Sequence, residues 1–179
     1  AAELQKLLPR VASEKELLAA ADTYFHPTIL RFGTLYGLSH RMRFDLVANI
    51  MTAHAFFKDE IEVNGGDQWR PLLHVADAAS ACIAMLEEPH ENVSAHIFNI
   101  GANDHNFQIH DIARVVNSQV PRANIKSKDT VQDKRNYQVS FDKIGDRTDF
   151  SAQYTLETGL KEIVSEMRAG AFKNFDDVI

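Results

Sequence analysis

The sequence predicts an α/β fold in a single domain of 179 residues. Short apolar or β-branched runs alternate with longer segments of helical periodicity, and no repeat or low-complexity tract interrupts this alternation. The composition, 45% hydrophobic and 25% charged, is typical of a globular protein. A chain of this length can bury roughly 70% of its unfolded surface, so it needs no disulfide or metal to hold a core.

Helices are expected where apolar residues recur at intervals of three and four, and strands where short β-branched or alternating runs occur. Prolines at positions 27, 89 and 121 limit the helices because proline cannot continue one. The predicted helices are 12–22, 44–57, 77–88 and 109–120, with a short turn at 142–146 and a last helix that begins at Thr155. The predicted strands are 28–32, 61–63, 72–75, 96–100 and 137–139.

Charge and composition exclude several classes of function. The formal net charge is -6, which argues against a dedicated nucleic-acid-binding protein because such proteins carry a basic patch. No apolar run approaches the roughly 20 residues that cross a bilayer, so no membrane span is expected. Cys82 is the only cysteine, which excludes an internal disulfide framework. The first residues do not resemble a signal peptide, and we expect a cytoplasmic protein.

Known motifs for phosphate, metal and nucleophile sites are missing from the sequence. Its eight glycines form neither G-x-G-x-x-G nor G-x-x-x-x-G-K-[ST], so the usual phosphate-cradling loop is not present. His105 and His110 are five residues apart, which does not suit zinc ligands on a helix, and no metal site is expected. His74 lies in an apolar run and is expected to be a hydrogen-bonded core histidine. G-x-S-x-G is absent, which disfavours a hydrolase.

Three arginines at or near predicted strands are candidate phosphate ligands. Arg31 lies within the first strand, Arg70 precedes the strand at 72–75, and Arg135 precedes the run at 137–139. The planar guanidinium group suits bidentate recognition of phosphate. The alternative from spacing alone is that each arginine forms an ordinary ion pair.

Six motifs, in order along the chain, resemble those of the nucleotide-sugar epimerases and dehydratases, a family of extended short-chain dehydrogenases. The first, at 30–37, reads LRFGTLYG and is similar to the family pattern LR-x-x-N-x-YG. The segment 65–79 is similar to G-x-x-x-R-D-(F/W)-(I/L)-H-V-x-D-x-A, with Pro71 in place of the usual aspartate. The other four are RMRFDLV at 41–47, FNIG at 98–101, RNYQVSFDKI at 135–144 and TLETGL at 155–160.

This resemblance implies that the chain is the C-terminal portion of such a protein. It would contain the last strands and helices of a Rossmann-like sheet plus a small substrate-binding α/β domain. Residues 1–40 would belong to the sheet side, and 41–179 would mostly form the substrate-binding region, with segments that return to the sheet. The absent half would carry the glycine-rich loop for NAD or NADP, so this chain alone is not expected to bind the cofactor tightly.

The resemblance also assigns site residues for a nucleotide-diphosphate sugar. Phe32 and Gly33 would lie beside the nicotinamide of the cofactor. Arg70 and Arg135 would clamp the diphosphate, which two planar donors can neutralise and orient. The other expected substrate contacts are Thr34 and Asp45 to the sugar nucleotide, and Val63 and Asn64 on either side of the base.

No catalytic residue is assigned, because the family's Y-x-x-x-K pair does not occur anywhere in this sequence. Counting back from Arg31 by the family spacing places the tyrosine near Lys6 and the lysine near Arg10. Either the chain has lost the pair, or its N-terminal segment differs from that of full-length relatives. Two functions therefore stay open: a part of an enzyme, or a non-catalytic binding or regulatory module that kept the fold.

A fragment of this family would expose strand edges and apolar surface, and exposed edges recruit partners. We therefore expect the chain to self-associate or to pair with the missing N-terminal half.

Overall fold

The computed structural model describes residues 2–128 and 135–172, with side chains from residue 11 onward. These described residues form seven α-helices and seven β-strands. The helices are α1 (Ala2–Ala19), α2 (Val47–Lys58), α3 (Val75–Glu87), α4 (His90–Val93), α5 (Ile109–Gln119), α6 (Asp142–Arg147) and α7 (Leu156–Arg168). The strands are β1 (Thr28–Phe32), β2 (Thr34–Tyr36), β3 (Glu60–Asn64), β4 (Trp69–His74), β5 (His96–Ile100), β6 (Asn106–Gln108) and β7 (Asn124–Lys128).

Parallel pairing dominates the strands, which confirms the predicted α/β class. β1 pairs with β5, β2 with β4, and β3 with β7, each in parallel. Among the described strands, only β6 runs antiparallel, against β4, in the three-stranded order β2-β4-β6. Parallel strands need crossover connections, and the segment between the paired strands β2 and β4, which contains α2, is one of them.

β4 lies between two hydrophobic cores. Leu72 packs into a cluster formed mainly by α2, α5, α7 and β3, whereas Leu73 packs with residues of α3, β5 and α6. Both leucines are fully buried because successive side chains of a strand point to opposite faces. β4 therefore fixes the position of its own Arg70 and of the neighbouring strands β2 and β6.

Pro71 is tolerated in this central strand because β4 changes partners at that point. Residues 69–71 pair with β6, whereas 72–74 pair with β2. A proline has no N–H to donate, so it fits where one ladder ends and the next begins.

The predicted element types are confirmed for the longer segments, with shifts at their ends. α1 ends at Ala19 rather than 22, because the Asp22 side chain accepts hydrogen bonds from the N–H groups of Tyr24 and Phe25 and forms a turn. β2, β6 and β7 were not predicted. β2 and β6 have three residues each, and β7 is exposed along its whole length and shows no apolar pattern.

The predicted strand at 137–139 is wrong. Residues 135–141 carry no regular secondary structure. The backbone N–H and C=O of Val139 are bonded to the side-chain amide of Asn106 instead of to another strand. The strand-like sequence alternation at 137–139 therefore belongs to an irregular segment that side chains hold in place.

Candidate functional site

The junction between β1 and β2 carries three of the predicted site residues. Phe32 ends β1 with its ring 41% exposed, Gly33 follows it, and Thr34 begins β2 opposite Leu72 of β4. A Cβ on Gly33 would lie 2.8 Å from the carbonyl oxygen of Pro71, closer than side chains approach. Glycine at this position therefore lets the junction lie directly against β4.

Arg70 and Arg135, the two predicted phosphate ligands, lie side by side. Arg70 is on β4 and only 6% exposed. Its Nη1 donates hydrogen bonds to the carbonyl oxygen of Trp69 at 2.7 Å and to that of Arg135. Arg135 is exposed to solvent. The structure thus brings together two arginines that are 65 residues apart in sequence.

A turn connects this pair of arginines to Asn64, which ends β3. Gln68 Oε1 accepts from the N–H of Gly66 at 2.7 Å, and Gln68 Nε2 donates to the carbonyl oxygen of Asn64 at 3.2 Å. The Asn64 Oδ1 atom is buried and has no hydrogen-bond partner among the described residues. Such orphaned acceptors are uncommon in folded proteins.

Val63 and Asp45 have other contacts in this structure. The Val63 side chain is fully buried in the core, so only its backbone can approach a ligand. Asp45 lies before α2, where its carboxylate accepts hydrogen bonds at 3.1 and 2.6 Å from Arg43. These bonds lower the pKa of Asp45, although both side chains are exposed.

Arg31 forms an ordinary ion pair, the alternative that its position in a strand left open. Its Nε and Nη2 donate to the carboxylate of Glu14 on α1. These hydrogen bonds lower the pKa of Glu14 and raise that of Arg31. Arg31 therefore joins α1 to β1.

His74 is buried as predicted, but the expectation that it is fully hydrogen-bonded is wrong. Its Nδ1 accepts from the N–H of Ala76 at 3.3 Å and caps α3, which places the proton of the neutral ring on Nε2. Nε2 lies 3.6 Å from Glu162 Oε2 and has no hydrogen-bond partner among the described residues. The ring stacks on Tyr154 with centroids 3.9 Å apart. Burial lowers the pKa of His74.

Tyr36 and Asp77 complete this buried polar group. The Tyr36 hydroxyl donates to the carbonyl oxygen of Thr155 at 3.0 Å, and burial raises the pKa of Tyr36. The Asp77 carboxylate accepts from the N–H groups of Gln153 and Tyr154. The group fixes the segment before α7 to β2 and α3.

The described residues show neither a metal site nor a membrane span. These residues contain no group of three or more histidine, cysteine, aspartate or glutamate side chains placed to hold a metal ion. Across 2–128 and 135–172, no helix has the length and apolar character to cross a membrane. Lys6 and Arg10, where the spacing places the family's catalytic pair, have side chains outside the described residues.

Parallel strands joined by helices define an α/β protein of the Rossmann-like class. The sequence model of the NAD dependent epimerase/dehydratase family matches residues 8–101, slightly more than half of the chain. The chain belongs to this family.

Solved structures share the fold. A dTDP-glucose 4,6-dehydratase from Bacillus anthracis, in complex with NAD, is 23% identical with a TM-score of 0.72, over 89% of this chain and 50% of that one. A UDP-glucose 4-epimerase from Thermotoga maritima, with UDP-glucose, is 20% identical with a TM-score of 0.72, over 90% of this chain and 52% of that one. A UDP-glucuronic acid 4-epimerase from Bacillus cereus, with UDP-glucuronic acid and NAD, is 22% identical with a TM-score of 0.67, over 83% of this chain and 47% of that one. This chain thus spans about half the length of these proteins.

Proposed function

We propose that this chain forms the nucleotide-sugar-binding side of an NAD(P)-dependent epimerase or dehydratase. The observation that carries the proposal is the hydrogen bond from Arg70 Nη1 to the carbonyl oxygen of Arg135. This bond holds two arginine-bearing segments next to each other. Two adjacent guanidinium groups suit a diphosphate, because it carries about two negative charges.

Arg70 and Arg135 have different roles in this proposal. Arg135 is exposed and contacts the diphosphate directly. Arg70 is buried, bonds the Arg135 backbone through its guanidinium group and adds positive potential to the proposed diphosphate site. Charge in a partly buried position is screened less by water and salt than charge on the surface.

The remaining proposed contacts lie on either side of the arginines. Asn64 Oδ1 accepts a hydrogen bond from the base, which would satisfy a buried atom that has no partner among the described residues. Val63 contributes its backbone next to the base. Thr34 contacts the sugar, and Asp45 does so after exchanging its bonds with Arg43.

The residues of this chain fit one face of a nicotinamide cofactor. The exposed ring of Phe32 and the bare backbone of Gly33 offer a flat apolar contact, whereas the sequence contains no glycine-rich loop for the cofactor's diphosphate. When bound, NAD or NADP supplies the hydride acceptor for the sugar. We propose that residues outside this chain bind most of it, and that the chain alone does not bind it tightly.

A non-catalytic binding module is the second candidate function. The observation in its favour is that Y-x-x-x-K does not occur in these 179 residues, while the arginine pair is present. The reading frame of the gene upstream of Ala1 distinguishes the enzyme from the binding module. An upstream glycine-rich loop and Y-x-x-x-K in the same reading frame support the enzyme, and a start codon directly before Ala1 supports the module.

Calorimetric titration with UDP, dTDP, GDP and CDP tests the binding proposal. We expect one nucleotide to bind in the micromolar range and expect Arg70→Ala and Arg135→Ala each to weaken it at least tenfold. Arg114→Ala is the matched control, because exposed Arg114 pairs with Asp111 on α5. Equal binding by all four proteins, or no binding by the unmodified chain, contradicts the proposal.

We further propose that the chain pairs through β1, either with a second copy or with the N-terminal half of the family fold. Within the described residues, β1 has one strand neighbour, β5, on one edge. Leu86 and Ile83, on α3, are 86% and 56% exposed, which is unusual for neighbouring large apolar side chains. Sedimentation velocity should show concentration-dependent association. A monomer at all concentrations that binds no apolar dye contradicts this part.

A further inference from the structure

Residues 135–141 form a segment without regular secondary structure, here called the strap, that is held mainly by asparagine side chains. The Asn106 side chain makes two bonds to one residue of the strap: Nδ2 donates to the carbonyl oxygen of Val139, and Oδ1 accepts from its N–H, both at 2.9 Å. A primary amide presents the same donor and acceptor as a peptide group, so Asn106 replaces a neighbouring strand for this residue.

Other asparagines hold the strap on both sides of that point. Near its start, Asn136 Oδ1 accepts from the N–H of Trp69 at 3.0 Å. Toward its end, Asn103 Oδ1 accepts from the N–H of Phe141 at 3.0 Å, and Asn99 Nδ2 donates to the carbonyl oxygen of Ser140 at 3.1 Å. The strap thus acquires a fixed position without entering a sheet.

Asn106 is itself fixed in place by the strand that carries Arg70. It begins β6 and lies opposite Pro71 in the register of the β4-β6 ladder, one residue from Arg70. Its Nδ2 also donates to the carbonyl oxygen of Asn103 at 3.0 Å, which limits the rotation of the side chain. Arg70 holds the first residue of the strap, and Asn106 holds Val139, four residues further on.

We propose that Asn106 is a positioning residue that acts through Arg135: it fixes the strap and thereby sets the affinity for a nucleoside diphosphate. The inference rests on the proposed function, since it takes Arg135 as a diphosphate contact. A guanidinium group on an exposed residue is useful for bidentate binding only if its backbone is held, because binding otherwise has to order the segment. Arg70 bonds the Arg135 backbone, and Asn106 holds the strap four residues further on, so the segment is already ordered before a ligand binds.

The test is a double-mutant cycle with UDP, or whichever of the four nucleotides binds, measured by calorimetry. Asn106→Ala removes both bonds to Val139 and is expected to weaken binding about tenfold. In an Arg135→Ala background, Asn106→Ala should have almost no further effect, because the residue that it positions is gone. Amide hydrogen exchange of 136–141 should be faster in Asn106→Ala than in the unmodified chain.

Asn117→Ala is the matched control. The Asn117 side chain donates to the carbonyl oxygen of Ala123 at 2.7 Å, so it makes the same kind of side-chain-to-backbone bond elsewhere. This variant is expected to lose stability and keep its nucleotide affinity. If Asn106→Ala fails to fold, Asn136→Ala replaces it, since that variant releases the strap next to Arg135.

The outcomes separate this inference from the function on which it rests. Suppose that the unmodified chain binds nucleotide and Asn106→Ala binds it equally well, or that Asn106→Ala weakens affinity by the same factor in the unmodified and Arg135→Ala backgrounds. Either result overturns the positioning role and leaves the proposed function standing. If the unmodified chain binds none of the four nucleotides, both are overturned. A tenfold loss that disappears without Arg135 supports both.

Discussion

The two sides of the molecule use large apolar residues in opposite ways. Around α2, α5 and α7, residues such as Leu160 and Ile163 are fully buried in one cluster. Around α1, β1 and α3, seven large apolar or aromatic residues are exposed: Val11, Leu17, Tyr24, Phe25, Phe32, Ile83 and Leu86. The first region buries its large apolar side chains, whereas the second leaves apolar side chains of the kind found in protein cores exposed to solvent. The site lies between the two regions, since β4 contributes to both hydrophobic cores and Phe32 belongs to the exposed side.

The largest expected effect comes from truncating the same residue type in each region. Leu160→Ala should lower the free energy of unfolding by about 2–5 kcal/mol, because it leaves a cavity in a packed core. Leu86→Ala, at 86% exposure, should change it by less than about 0.5 kcal/mol in dilute monomer. Urea unfolding of both variants measures the contrast. Equal losses would show that the two regions do not differ in packing.

Two glycines sharpen the comparison around His74. A Cβ on Gly159 of α7 would lie 2.7 Å from both the His74 ring and the Tyr36 ring, so Gly159→Ala should cost about 1–3 kcal/mol. Gly145 of α6 has no atom within 4 Å of its would-be Cβ, and Gly145→Ala should stabilise by roughly 0.5 kcal/mol. Thermal unfolding checks both. A neutral Gly159→Ala would mean that His74 and Tyr36 can move aside.

The smallest effect concerns pH. Burial lowers the pKa of His74, and Glu162 and Asp77 oppose this only in part. The unfolded chain therefore binds a proton that the folded chain does not, so stability is complete above the ordinary histidine pKa of 6.5 and falls as the pH drops below it. His74→Asn, which keeps an acceptor to cap α3, should reduce the dependence of unfolding free energy on pH between about 5 and 7.5.

Exposed His40 provides the control for this change, since His40→Asn should leave that dependence unaltered. His54 and His96, whose pKa values burial also lowers, account for the slope that remains. An unchanged slope in His74→Asn would contradict the assignment of a neutral, buried His74.

Sequence patterns could predict the long elements but not the contacts that join them. β1, β5 and α7 have apolar runs or periodic faces, and all three were predicted. β7 is a strand with five exposed residues, and its pairing with β3 leaves no apolar signal. The strand prediction at 137–139, within the strap, is wrong because the bonds from Asn106 to Val139 reach across 33 residues and leave no local pattern.

The candidate site was predictable to a similar extent. The resemblance placed Arg70 and Arg135 in one site, and the structure does bring them together. Spacing alone could not separate them from Arg31, which pairs with Glu14. The strap asparagines were missed, although asparagines at 103 and 106 and directly after Arg135 are a signal for side chains that bond to extended backbone.

Amide hydrogen exchange that compares α1 with α7 tests most directly the contrast between a region that buries its apolar residues and one that exposes them, together with the proposal that the exposed region is covered when the chain associates. In dilute monomer, the amides of α7 should exchange roughly a hundredfold or more slowly than those of α1, because α7 packs its apolar face into a core whereas Leu17 of α1 is exposed. Raising the concentration until the chain associates should slow exchange in α1 and leave α7 unchanged. Equal protection of the two helices in the monomer would contradict the account.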